Sequence, residues 1–145
     1  MKIYIVLASL AAGTAAFAHS GVTNPDVMNR MIGMSEMAKH MKVMGSMAKG
    51  ETAFDADAVN TALAKLSEEA SYVPSLFEPK AMDPKSEALP VIWDEYETFT
   101  GHAAKLEEVT ARLSGSVTSP DELGPAMREV GKACSACHSD FRKEE

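Results

Sequence analysis

Two thiols spaced Cys-x-x-Cys and followed at once by an imidazole stand near the C-terminus, as Cys134-Ser135-Ala136-Cys137-His138. That spacing suits covalent haem attachment. On one turn of helix each thiol can add to a haem vinyl group, and the adjacent His138 is then placed under the iron. Two other chemistries use Cys-x-x-Cys. A zinc site needs two further good ligands at finger-like spacing, and the chain has no other cysteine. A thioredoxin-like motif sits early, near a strand and helix of a βαβ unit, whereas this one closes a helical sequence. Haem c is therefore the expected cofactor, with Cys134 and Cys137 as covalent anchors and His138 as an axial ligand.

The chain opens with Lys2, an apolar run from Ile3 to Ala12 and the small-x-small triplet Ala16-Phe17-Ala18. This reads as a secretory signal peptide over residues 1–18, too short to span a bilayer, with cleavage before His19. In a bacterium export means the periplasm, where haem c is attached and where two free cysteines would otherwise oxidise. Residues 19–145 suffice for one domain with one core. Losing Lys2 takes the formal charge from −7 to −8. An acidic chain of this kind is not expected to bind nucleic acid, and basic or neutral patches on partner proteins suit it better.

Strand signals are absent, and helix punctuation places four helices. The first opens at Asn24-Pro25-Asp26 and stops at Gly50. A second begins near Asp55 and is expected to end at Pro74. After a proline-containing connection over 74–88, a third starts around Leu89-Pro90 and runs to Ser114-Gly115. The fourth is capped by Ser119 with Glu122 three residues on, with Gly124-Pro125 as a point where it could kink or restart, and it carries the haem motif to about Phe141. The predicted fold is all-α, an antiparallel up-down-up-down four-helix bundle. In that topology the start of the first helix stands beside the end of the fourth, so a second axial ligand to the iron belongs in the first half of the first helix.

Seven methionines crowd that helix: Met28, Met31, Met34, Met37, Met41, Met44 and Met47. Most must fill the core, which is the common use of methionine at helical spacing. Thioether sulfur is also a haem ligand, and position along the bundle leaves Met31, Met34 and Met37 open.

The order of elements resembles the class II c-type cytochromes, the cytochrome c-prime family. The resemblance rests on Arg30-x-x-x-Met34, Met47-Ala48-Lys49-Gly50-Glu51, Leu89-Pro90-Val91-Ile92-Trp93, and Cys134 to His138 followed by Phe141-Arg142. It implies a bundle with the haem at the C-terminal end. It also implies a choice between two branches: an apolar residue facing a five-coordinate iron that binds small gases such as nitric oxide, or a methionine completing a six-coordinate electron carrier. Met34 occupies the matching place, so His138 and Met34 are the ligands that the resemblance implies. It further implies that Arg30 stands near a haem propionate, that Arg142 lies beside the proximal ligand, and that homodimers form through the outer faces of the first two helices. The plainer roles are a solvated arginine for Arg30 and a favourable cation at a helix C-terminus for Arg142. Trp93 is expected to pack on the core near the haem edge as a structural anchor.

The expected function is a periplasmic mono-haem carrier of single electrons between periplasmic or membrane redox proteins, without substrate turnover. Two alternatives are a five-coordinate gas-binding haem protein and a copper-handling module using the methionine-rich helix and a new N-terminal His19. His40 and His102 are not expected to ligate the iron.

Overall fold

The computed structural model describes residues 21–144. The signal-peptide reading and His19 fall outside the described residues. Four helices make up the fold: α1 (Pro25–Ala48), α2 (Ala56–Phe77), α3 (Tyr96–Leu113) and α4 (Pro120–Phe141), with a 3-10 turn (Pro90–Trp93) before α3. α2 packs closely on both α1 and α3, α3 meets α4 less closely, and α1 meets α4 least of these neighbours. The bundle is thus up-down-up-down, as expected, and looser along one seam.

Local chemistry accounts for the helix ends. The Asn24 side chain accepts from the backbone N–H of Asp26 (2.9 Å) and Val27 (3.2 Å), satisfying donors that α1 itself cannot pair. At the other end Gly50, with φ of +71°, turns the chain out of the helix. Its N–H donates to Met47 and that of Glu51 to Ser46, the paired closure that favours glycine at this position. The Glu122 carboxylate accepts from the N–H of Thr118 (2.7 Å) and Ser119 (3.0 Å) and so closes the start of α4. Pro125 lies inside α4 without a restart.

Two expected boundaries move. Pro74 does not end α2, which continues to Phe77. Proline removes its own N–H from the ladder and crowds the Ala70 carbonyl four residues back, and the extra turn offsets this by burying Phe77 against Phe99, their ring centroids 4.8 Å apart. Side chains then pair with the carbonyls of that turn: the Tyr96 hydroxyl donates to Pro74 (2.7 Å), Arg30 Nε to Leu76 (2.8 Å) and Trp93 Nε1 to Phe77 (2.7 Å). The third helix, expected from Leu89-Pro90, is split into the 3-10 turn and α3. Here the Leu89 N–H is bonded to Phe141 (2.9 Å) and the Trp93 indole to the end of α2, and the N–H groups of Asp94 and Glu95 both donate to Val91.

The core runs the length of the bundle through Met44, Val59, Leu63, Leu66, Ile92, Leu123 and Val130. At the end away from the haem motif, the Asn60 amide joins α2 to the α3–α4 turn, donating to Val117 (2.7 Å) and accepting from Gly115 (2.8 Å). At the motif end Phe99 stacks between Phe77 and Phe141, edge-on to the latter at 5.4 Å. The connection over 78–89 straps this end. Its buried Asp83 carboxylate accepts from the N–H groups of Thr23 (2.9 Å), Asn24 (3.3 Å) and Lys85 (2.9 Å). Its far half pairs antiparallel with the residues after α4, through Leu89 N–H to Phe141 and Lys143 N–H to Glu87.

The donated N–H groups, Lys85 and Thr23 first, hold the Asp83 carboxyl below its ordinary value of 3.8. A folded-state value below the unfolded one stabilises the fold above the unfolded value and is lost as pH falls through the folded one. Asp83→Asn is therefore expected to lower the urea midpoint at pH 7, with the gap between wild type and variant narrowing as pH falls below 3.8. A gap that stays the same size as pH falls would show that the carboxylate charge is not what holds the strap.

Candidate haem site

Cys134, Cys137 and His138 share the last turns of α4. Both thiols are free, half-buried and packed against the core. Burial pushes both up, Cys137 to about 11, so they are neutral thiols in the folded chain. His138 is shifted the other way, below 6.5, first by burial and then by the Arg142 charge. Its neutral form, with a free lone pair, therefore dominates at pH 7.

Two glycines show which side of α1 meets which neighbour. A Cβ on Gly33 would lie 3.2 Å from Leu76 of α2, whereas one on Gly45 would lie 3.7 Å from Met127 Cε of α4. At about 100° of rotation per residue, Met34 lies about 20° from the Gly45 direction, and Met37 about 40° from that of Gly33. Met34 therefore faces α4. Met37 turns toward α2 and is 9% exposed, and Met44 is fully buried in the core. Met31 also lies on the α4 side, but beyond Gly45 toward solvent, and is not among the side chains packed on the core, as Met34 is.

The same contact sets the register along the axis. With the two helices antiparallel, eleven residues back from Gly45 reaches Met34, and eleven forward from Met127 reaches His138. Met34 and His138 are thus level to within about one turn. On α4, the face toward α1 carries Met127, Gly131, Cys134 and His138. On α1 the opposing stripe is Met34, Ala38, Met41 and Gly45. These are two runs with steps of four, three and four residues.

The cleft so formed suits haem. It presents thioethers and the Cys134 thiol, has an imidazole and a thioether at one level, and carries small residues at Ala38, Gly45 and Gly131. A Cβ on Gly131 would meet no atom within 4 Å. The α1–α4 seam is the least closely packed of the contacts between neighbouring helices. Ala38, Met127 and Gly131 were not singled out from the sequence. The matching stripes are visible there, but only the Gly45–Met127 contact aligns them.

The other expected residues occupy definite places. Arg30 is not a solvated arginine: it is 3% exposed. Its Nε donates to Leu76 (2.8 Å), one terminal nitrogen to Ala81 (2.8 Å) and the other to Pro79. The guanidinium also lies 4.6 Å from the Phe77 ring centroid and 5.2 Å from that of Trp93. Trp93 is a half-buried structural anchor, its indole bonded to α2. Arg142 pairs with Glu87 (2.7 Å), and its N–H donates to the His138 carbonyl (3.1 Å). His102 lies 3.6 Å from Asp140, on the side of α4 that faces α3. His40 falls on the α2 side of α1, about 20° from Gly33.

Arg30→Lys keeps the charge but replaces a three-way fork by a single ammonium. It is expected to lower unfolding free energy by about 2 kcal/mol or more, measured by guanidinium denaturation. The buried thiols of the folded apoprotein are expected to react with a disulfide reagent at pH 8 about 100-fold more slowly than after unfolding. Equal rates would contradict the burial of Cys134 and Cys137.

Comparison with known proteins agrees with this geometry. The family model described as Cytochrome C' matches residues 26–142. Cytochrome c-556 of Rhodopseudomonas palustris is 35% identical over 117 residues, covering 77% of this chain and 78% of that protein. Cytochrome c-556 of Agrobacterium fabrum is 31% identical over 147 residues, covering 98% of this chain and 97% of that one. A structure of oxidized R. palustris cytochrome c556 superposes with a TM-score of 0.77 at 32% identity, covering 85% of this chain and 99% of that chain. With the bundle, the Cys-x-x-Cys-His helix end and these relatives in agreement, the chain belongs to the cytochrome c' family, the class II c-type cytochromes, and haem c is its cofactor.

Proposed function

We propose that this protein carries single electrons through one haem held by Cys134 and Cys137, with His138 and Met34 as axial ligands. The observation that carries the reading is the placement of Met34, on the α4 side of α1 and level with His138, with no polar side chain between them in the opposing stripes. When bound, haem c supplies a one-electron ferric/ferrous couple. The chain's own part is to hold that group still. Two thioether links and two axial ligands on packed helices leave little to rearrange between oxidation states. Thioether ligation also favours the reduced form and so raises the potential.

Residues around the site serve the same end. Arg142, held by Glu87, places a positive charge beside His138 and favours its neutral, ligating form. Arg30, one turn before Met34, ties the end of α2 and the strap to α1 and so fixes the helix that bears Met34. No group in the cleft is arranged to activate a substrate, and electron transfer needs none. Residues 1–18 act as a cleaved signal peptide, which places the protein in the periplasm with redox proteins as partners. Exposed Ile32 and Val43 on α1 and Tyr72 on α2 support a homodimer through these outer faces.

The test is the visible spectrum of the holoprotein, oxidised, reduced, and reduced under carbon monoxide. Low-spin spectra with a weak ferric sulfur-to-iron band, unchanged by carbon monoxide, are expected. Met34→Leu is expected to abolish that band and open the iron to carbon monoxide, while Met31→Leu and Met37→Leu leave both unchanged. A wild-type protein that binds carbon monoxide at once would overturn the six-coordinate reading in favour of gas binding.

A further inference from the structure

Just past α4 the chain runs back along the strap. The Leu89 N–H donates to Phe141 (2.9 Å) and the Lys143 N–H to Glu87 (2.8 Å), with Ala88 opposite Arg142 in an antiparallel bridge. These backbone bonds fix both segments without help from side chains. Two cations ride on them. Arg142 Nε donates to the Glu87 carboxylate at 2.7 Å, and Lys143 Nζ reaches instead the Ser86 carbonyl at 2.8 Å.

The Glu87–Arg142 pair stands beside His138. Arg142 lies one turn after it, and its N–H donates to the His138 carbonyl (3.1 Å). The His138 ring feels both charges in opposite senses, the Arg142 cation outweighing the Glu87 anion. Two other acids share this stretch. Asp140 lies 3.6 Å from His102 on α3, and Glu144 is exposed two residues beyond Arg142.

For holding the fold the pair counts for little. Its side chains are 37% and 57% exposed, and exposed ion pairs add little to stability. Its charges matter more at a centre that changes its own charge. Reduction adds one electron to the haem site with its ligands kept, so a fixed cation nearby favours the reduced form and a fixed anion the oxidised one.

We propose that Glu87 sets the reduction potential of the haem site by holding Arg142 beside His138 and offsetting part of its charge. This inference rests on the proposed electron-carrier reading of that site. Glu87 is a positioning residue, acting through its bond to Arg142 and through its charge. Arg142 alone would pull the potential up, and the carboxylate carried by the strap returns part of that shift. The strap that Asp83 fastens to the start of α1 thus also carries a charge that tunes the proximal side.

The test is an equilibrium redox titration of the holoprotein at pH 7 against a mediator that gives up one electron for each the protein takes. E87Q keeps an acceptor for the Arg142 Nε and removes the charge. It is expected to raise the reduction equilibrium constant about threefold, or about 30 mV at 59 mV per tenfold. R142Q is expected to lower the constant by about threefold or more, and E87D, which keeps the charge, to stay within about 1.5-fold of wild type. These shifts are expected to shrink between about 10 and 200 mM salt. E51Q, which removes an exposed carboxylate at the far end of the bundle, is expected to leave the constant as in wild type. The urea midpoint of E87Q is expected to match that of wild type.

An E87Q constant that falls or stays within about 1.5-fold of wild type would overturn the role of Glu87. So would an equal rise in E51Q, which would mean that only net charge is sensed, or a lowered urea midpoint with an unmoved potential, which would make the pair merely structural. Spectra of the same samples separate the two readings. Absent haem, or a ferrous wild type open to carbon monoxide, sinks the electron-carrier reading, whereas a six-coordinate spectrum with an unmoved potential in E87Q sinks only the role of Glu87.

Discussion

A single buried cation organises the end of the bundle where the chemistry takes place. Among the described residues no carboxylate hydrogen-bonds to Arg30. Its guanidinium instead spans the carbonyls of Leu76, Pro79 and Ala81 and lies over the rings of Phe77 and Trp93. Leaving such carbonyls and such a cation unpaired would cost several kcal/mol by about the usual penalties for buried polar groups, so the three segments are obliged to meet. That meeting carries α2 past Pro74, starts the strap over 78–89 in the right direction, and holds α1 in place one turn before Met34. The plainest signal in the chain, the haem motif on α4, is useful only because α1 is held opposite it.

From this end the bundle divides its sulfur between two uses. Met37 and Met44, on the side of α1 toward α2, are ordinary core residues. Met34 and Met41, one step round the helix, line the looser seam with Met127 and Cys134. Flexible thioethers suit both tasks, because they fill an irregular interior and also conform to a flat apolar group. The division depends on about 60° of rotation around one helix axis. Close packing on three sides and looser packing on the fourth lets a small bundle admit a large cofactor and still keep a continuous core.

The strap over 78–89 joins the two sides of that seam. Asp83 holds it to the start of α1, and Glu87, Ala88 and Leu89 hold it to the end of α4. Arg142 beside His138 and the helix bearing Met34 are thus parts of one hydrogen-bonded unit. Most of its bonds use backbone groups, which any sequence supplies. A few charged or polar side chains, Arg30, Asp83, Glu87 and Arg142, select which backbone groups meet.

Much of this was legible in the residues alone. Asn24-Pro25-Asp26, Gly50 and Ser119 with Glu122 act through their nearest neighbours in the chain, and all stand where local chemistry put them. The Cys-x-x-Cys-His spacing likewise needs one turn of one helix to be meaningful. What local chemistry could not decide were features settled by distant partners. Pro74 stays helical because Tyr96, Arg30 and Trp93 supply donors from elsewhere, and the third helix breaks at Asp94-Glu95 because Leu89 and Trp93 are held by α4 and α2. Which of Met31, Met34 and Met37 turns toward α4 is of the same kind. By itself the sequence determined the helices, their order and the cofactor's anchors, since capping, periodicity and motif spacing act within a few residues. The tertiary structure alone decided which faces of α1 and α4 oppose each other, because that depends on how whole helices rotate to bury their apolar sides.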